Sequence, residues 1–254
     1  MQFVSLFFIV FYLSSCMTQK KNVQKSDDHH KIAIGLLKNC DKPRALSHLL
    51  KAVQLNPKDF IIRNTLAAIY YSMKEYEKAV LEYKRILKIK PELTEARVSL
   101  ARVYVDLNQL DQALKQIEIA EKDITYTGYL KLIVYKALAQ YKGNRYIKAK
   151  RNFNEALSIP RGKTCFNYIH LGRTEIALGN LEEAEQLLKK AVLKCKKDQP
   201  FCGAPQYEEH LVLGRLYVKK GDKKRAKYHL KLFLKKANEE EKIKKAKQLL
   251  KAIS

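Results

Sequence analysis

Apolar residues along the chain fall into two regimes. The first is a single run, Phe3 to Leu13, eleven residues without a charge. At about 1.5 Å of rise per residue it cannot cross a hydrocarbon core of ~30 Å, so it has the length of an export signal's apolar segment and not of a membrane span. From Ser26 onward the second regime takes over: apolar positions recur at i, i+3 or i+4, and i+7, the stripe of an amphipathic helix. These stripes come in blocks. Pro57 and Pro91 lie 34 residues apart, as do Ala45, Ala79 and Ala113. With Ser26, Phe60, Thr94, Leu130, Cys165 and Tyr207 as the first places of six units, the twentieth place is Ala in every one: Ala45, Ala79, Ala113, Ala149, Ala184 and Ala226. The eighth place is always small: Ala33, Ala67, Ala101, Ala137, Gly172 and Gly214. Bulky residues such as Leu66, Tyr70, Tyr83 and Leu87 hold places 7, 11, 24 and 28 of the second unit.

Each block predicts helix A, a tight turn and helix B, with left-handed caps at Gly179 and Gly221. Facing small residues let the two helices approach closely, and the bulky places fill the space between units. Glu239 to Ile253 predicts a Lys-rich amphipathic helix that closes the array, with Ile243, Ala246, Leu249 and Leu250 on its apolar side. A 34-residue helical hairpin with this pattern resembles the tetratricopeptide repeat, over residues 26 to about 238. The resemblance implies an all-α chain, a right-handed superhelical solenoid of about six helix-turn-helix units plus a C-terminal capping helix. The family's Trp at the fourth place is absent, replaced by residues such as Arg63, Arg97 and Tyr168. In the fourth unit Gly143 sits one place early, which leaves the register of helix A there open by one residue.

In that family, places 2, 5, 9 and 12 of helix A line a concave groove. Carried over, they are Ile61, Asn64, Ala68 and Tyr71; Glu95, Val98, Arg102 and Val105; Phe166, Ile169, Arg173 and Ile176; and Glu208, Leu211, Arg215 and Val218. Arg102, Arg173 and Arg215 share the ninth place and would form a discontinuous ladder in an apolar trough, interrupted by Leu138. Forked donors between apolar walls suit a peptide that is apolar with interspersed carboxylates. The alternative is that these Arg pair with nearby acids such as Asp106 or Glu175.

Composition agrees with helices. Nine Gly and six Pro in 254 residues leave too little turn chemistry for many short strands, and 46% hydrophobic with 30% charged describes a folded chain. The net charge is +24, and between Lys219 and Lys251 fourteen Lys and Arg face four acids. Most of these cations are Lys interleaved with apolar residues at helical spacing, the pattern of a solvated helix face, and nucleic acid is not an expected partner. No G-x-S-x-G, H-E-x-x-H, Gly-rich phosphate loop or C-x-x-C occurs. We therefore expect no catalytic set, no cofactor, no metal centre and no small-molecule substrate; His29 and His30 read as a solvated helix end.

Two features concern export. Leu13-Ser14-Ser15-Cys16 resembles a bacterial lipobox, which implies cleavage after residue 15 and a lipid on Cys16, with Met17 pointing to the outer membrane. No Lys or Arg precedes the apolar run. Thr18 to Ser26, rich in Lys and Gln and without periodicity, reads as a tether. In an exported domain disulfides persist. The start of helix A and the end of helix B share an edge, which gathers Cys165, Cys195 and Cys202; Cys195 with Cys202 is the expected bond, Cys165 with Cys202 or free thiols the alternatives, and Cys40 has no partner nearby.

A lipobox, a short tether and six repeats together resemble the type IV pilus biogenesis and stability lipoproteins, the PilF/PilW/Tgl pilotin family, with residues 200–222 the more particular segment. The resemblance implies a non-enzymatic scaffold, lipid-anchored on the periplasmic face of the outer membrane, that helps a pilus secretin to assemble. A scaffold for another envelope machine, serving outer-membrane protein, lipopolysaccharide or peptidoglycan assembly, and a generic repeat adaptor are the alternatives.

Overall fold

A computed structural model of the chain describes residues 2–195 and 207–253, with side chains from residue 19 onward in those ranges. It divides into two parts, Met1–Leu107 and Asn108–Ser254. The first holds α1 (Gln2–Lys38), α2 (Lys42–Leu55), α3 (Phe60–Ser72), α4 (Tyr76–Ile89) and α5 (Thr94–Asp106). The second holds α6 (Leu110–Ala120), α7 (Tyr129–Lys142), α8 (Tyr146–Ser158), a 3-10 turn (Pro160–Gly162), α9 (Cys165–Leu178), α10 (Leu181–Cys195), α11 (Glu208–Lys219), α12 (Lys223–Lys236) and α13 (Glu240–Ala252). All described elements are helical. Within the first part α1 packs on α2 and α3 on α4, and within the second α7 packs on α8, α9 on α10 and α11 on α12, as the A and B members of hairpins.

Local chemistry starts and stops these helices. Asp41 caps α2 by accepting from the Arg44 N–H at 3.1 Å, Asp59 caps α3 from Ile61 N–H at 2.8 Å, and Asp222 caps α12 from Arg225 N–H at 2.9 Å. The A-to-B turn is the same each time: Cys40, Lys74, Asn108, Asn144, Gly179 and Gly221 all have positive φ, and all occupy place 15. The next N–H then donates back to the carbonyl of place 11, as Asp41 to Leu36, Glu75 to Tyr70, Arg145 to Gln140, Asn180 to Glu175 and Asp222 to Tyr217, at 2.8 to 3.0 Å. That closure satisfies a helix-end carbonyl that would otherwise be unpaired. It also settles the fourth unit, because Asn144 and not Gly143 takes the left-handed place.

The small-residue places do the packing expected of them. All six Ala at place 20 and all four Ala at place 8 are fully buried. In the fifth and sixth repeats, where place 8 is Gly, the place-24 leucines press closer: a Cβ on Gly172 would lie 2.8 Å from Leu188 Cγ, and one on Gly214 2.6 Å from Leu230 Cγ. One core cluster of the first part runs from Ala33 through Ala45, Leu49 and Ala52 to Leu66 and Ile69. In the second part a cluster runs from Ile169 to Phe233, and Ala246, Leu249 and Leu250 of α13 pack onto it as a cap.

Two expectations are revised. Residues 19–25, read as an irregular tether, are a mostly exposed stretch of α1, continuous with helix A of the first repeat. Lys and Gln propagate a helix well once the packed segment from Ser26 onward nucleates it, and Ser26 itself is buried, its hydroxyl donating to Ala52 O at 2.8 Å. The expected Cys195–Cys202 bond is not formed: Cys195 is bonded to Cys165, with Cα atoms 4.9 Å apart. The hairpin brings the first residue of α9 beside the last of α10, so the shared edge favours the pair that are both helix ends; Cys202 lies outside the described residues. Cys40, expected to have no partner nearby, is disulfide-bonded too. Among the described residues no helix is long and apolar enough to cross a membrane. Cys16 belongs to α1, and its side chain lies outside the described ones.

Candidate functional site: the helix A faces

The groove places sort into three kinds. Val98, Val105, Ile169 and Leu211 are buried, at 4% exposure or less, and Ile169 and Leu211 belong to the second part's core. Place 5 there falls on the seam where α9 meets α11, so these residues hold the repeats together instead of facing a ligand. Asn64, Tyr71, Phe166 and Ile176 are half-buried, while Ile61 and Ala68 are exposed. The third kind is the Arg ladder.

Two of its three members are neutralised inside the chain. In the first part Asp106 accepts from the Tyr71 hydroxyl at 2.6 Å and from Arg102 Nε at 3.2 Å, and the Arg102 guanidinium sits 5.6 Å from the Tyr71 ring centroid. In the second part Glu208 accepts from Arg173 at 2.6 Å and pairs with Lys242 at 3.2 Å. Burial pushes the Glu208 carboxyl up, but the charges of Arg173 and Lys242 outweigh it and hold the group at about 2. Glu175, the other acid considered for this role, pairs with Lys150 at 2.9 Å instead. Arg215 alone is exposed, with no ion pair to another described residue. Near it on the same helix Val218 is half-buried, and on α9 the Phe166 ring packs against His170 with centroids 4.3 Å apart.

Sequence reading missed a second set of polar side chains, those linking helix A to helix B at places 4 and 23. Arg63 pairs with Glu82 at 2.6 Å in a buried site and donates through Nε to Pro57 O at 2.7 Å; Arg97 likewise reaches Pro91 O at 2.6 Å. Thus Arg at the family's Trp place ties α3 and α5 to the proline turns that precede them. The same two places carry His29 with His48, and His210 with His229. Burial, then the neighbouring imidazole, lowers His48 and holds His229 at about 4. The available signal was the common 19-residue spacing. Glu209, buried and pushed up by burial, lies with Cys165 and Cys195 in a cluster of ligand-type atoms. With both sulfurs in a disulfide, it offers no thiolate to a metal.

Family models of the tetratricopeptide repeat match residues 30–93 and 168–197. The chain carries tetratricopeptide repeats. It is 28% identical over 109 residues to a probable UDP-N-acetylglucosamine–peptide N-acetylglucosaminyltransferase of Arabidopsis thaliana, and 28% over 111 residues to anaphase-promoting complex subunit 3 of Schizosaccharomyces pombe. Each match takes 42% of this chain, yet the chain spans only 11% and 17% of those proteins. Among solved structures, PilW, a widely conserved type IV pilus biogenesis factor, superposes with a TM-score of 0.70 at 19% identity, covering 82% of this chain and 91% of that one. Pseudomonas aeruginosa PilF gives 0.64 at 15% identity over 85% and 93%, and a tetratricopeptide repeat protein of Parabacteroides merdae gives 0.70 at 17% over 93% and 99%. The array thus has a tetratricopeptide-repeat fold like that of PilW and PilF.

Proposed function

We propose that this chain is a non-enzymatic, lipid-anchored scaffold that holds a type IV pilus secretin subunit and promotes secretin assembly in the outer membrane. The observation that carries the binding role is the helix A face of the fifth and sixth repeats, where Phe166, Ile176 and Val218 are half-buried and Arg215 is exposed without an ion-pair partner among the described residues. An apolar surface beside a free guanidinium accommodates an apolar peptide bearing a carboxylate. Support for the pilus assignment comes from the fold shared with PilW and PilF, and support for the anchor from Leu13-Ser14-Ser15-Cys16 behind a run too short to span. The proposed location is the periplasmic face of the outer membrane.

Fractionation of the wild type and Cys16→Ser tests the anchor: the wild type pellets with outer membranes, and the variant stays at precursor mass or becomes soluble. Deletion of the gene tests the role. Secretin should persist as monomer and surface pili should be lost; heat-resistant secretin multimers at normal levels would transfer the scaffold to another envelope partner.

A further inference from the structure

Two histidine pairs converge at one register of the array. In the first repeat His29 on α1 and His48 on α2 bring their Nδ1 atoms to 2.9 Å, with the rings tilted by 52°. In the sixth, His210 on α11 and His229 on α12 bring theirs to 3.0 Å, with ring centroids 5.1 Å apart. The intervening repeats fill the same two places with Arg63 and Glu82, Arg97 and Gln116, Ile133 and Asn152, and Tyr168 and Leu187. Imidazole pairs therefore stand in the first and last repeats, held by the same helix-hairpin geometry.

We propose that each pair is a bidentate site for a divalent late first-row metal ion, with Cu2+ the best match. Two ligand nitrogens at about 2.0–2.1 Å from a metal lie about 2.9 Å apart when they subtend a right angle, and about 3.4 Å apart at the tetrahedral angle. As the chain stands each pair is joined by an imidazole–imidazole hydrogen bond, and that contact already holds the two nitrogens near the spacing of neighbouring ligands in a tetragonal site, the geometry of Cu2+, which also heads the affinity order for imidazole ligands. Coordination is redox-neutral. The imidazole that carries its proton on Nδ1 shifts it to Nε2, both rings turn about χ2 so that their Nδ1 lone pairs meet the ion, and water completes the sphere. A bound ion would pin helix A to helix B in the two repeats that end the array.

The full-length protein is titrated with Cu2+ against glycine as competing chelator, by calorimetry and by electron paramagnetic resonance. The expected result is two equivalents per chain, coupling to two imidazole nitrogens at each ion, and a metal-dependent rise in Tm. His48→Gln and His229→Gln should each remove one equivalent and keep the other, which shows that the remaining site is folded; the double variant should remove both. His30→Gln and His170→Gln should keep two. Two equivalents surviving in the double variant, or no uptake beyond glycine, would overturn the assignment.

Discussion

Replacing Cys165 and Cys195 by alanine removes the covalent closure between the first residue of α9 and the last of α10, thirty residues apart. In the chain-entropy account the lost constraint on the unfolded state is 2.1 + 1.5R ln 30, about 12 cal/mol/K, or about 3.6 kcal/mol at 25 °C. Close packing of Leu188 against Gly172 already holds the two helices together, so the folded repeat should keep its geometry and the effect should act through the unfolded chain. The assay is urea unfolding of the oxidised wild type and the double alanine variant by far-ultraviolet circular dichroism, with peptide mapping without reductant to establish the bond. We expect a Cys165–Cys195 linked peptide in the wild type and a loss near 3 kcal/mol, or an early separate transition if this repeat unfolds apart from its neighbours. Coincident unfolding curves would refute the entropic reasoning. A Cys195–Cys202 peptide would refute the pairing itself.

Three further outcomes follow from particular contacts. Gly214→Ala places a methyl 2.6 Å from Leu230 Cγ and should cost about 1–3 kcal/mol in urea unfolding, with no loss refuting the close approach of α11 and α12. Lys74 holds φ at 63°, so Lys74→Gly should raise stability by roughly 0.5 kcal/mol, whereas Met73→Gly, at φ −90°, should lower it. Glu208 has a folded pKa of about 2, below the ordinary 4.5, so its contribution is present above pH 4.5 and is lost as pH falls towards 2. That contribution is about 3 kcal/mol, and Arg173→Met should flatten this part of the acid-unfolding profile; an unchanged profile would show that the pair is not formed in solution.

Much of the fold is legible because repeat packing depends on residue size at fixed places. Ala45 and its five counterparts at place 20 are small for one steric reason, and every one is buried. The turn was legible only in part: Gly179 and Gly221 announce a left-handed residue, but Cys40, Lys74, Asn108 and Asn144 adopt the same conformation without glycine, and at Cys40, Lys74 and Asn144 the next N–H closes the turn on the preceding helix end. Pairing of polar groups was least legible. Places 2, 5, 9 and 12 identify a face, but whether a residue there is open depends on how closely the next helix A approaches, which buries Ile169 and Leu211 and leaves Phe166 half open. Likewise the disulfide depended on which two of three cysteines end a packed helix, a question of backbone direction that spacing along the chain does not answer.

The internal pairing of Arg102 and Arg173 changes what a partner must offer. A ligand carboxylate that reached Arg173 would have to displace Glu208, leaving that acid buried with Lys242 as its remaining cation, so the exchange returns little for the bond it forms. Arg102 is under the same restriction, because Asp106 is also the acceptor for Tyr71. Arg215 is already in solvent and loses no ion pair with a described residue when it engages an anion. Selectivity for an acidic residue in the partner should therefore reside in Arg215, with Phe166, Ile176 and Val218 supplying apolar area. Arg215→Glu should weaken partner capture by about tenfold or more while leaving unfolding unchanged, since a charge-assisted contact is worth about 1.5 kcal/mol or more. Arg173→Glu should act the other way round, lowering stability by setting two acids against each other at Glu208. Equal effects of the two reversals on capture, with stability untouched in both, would restore a ladder of equivalent arginines.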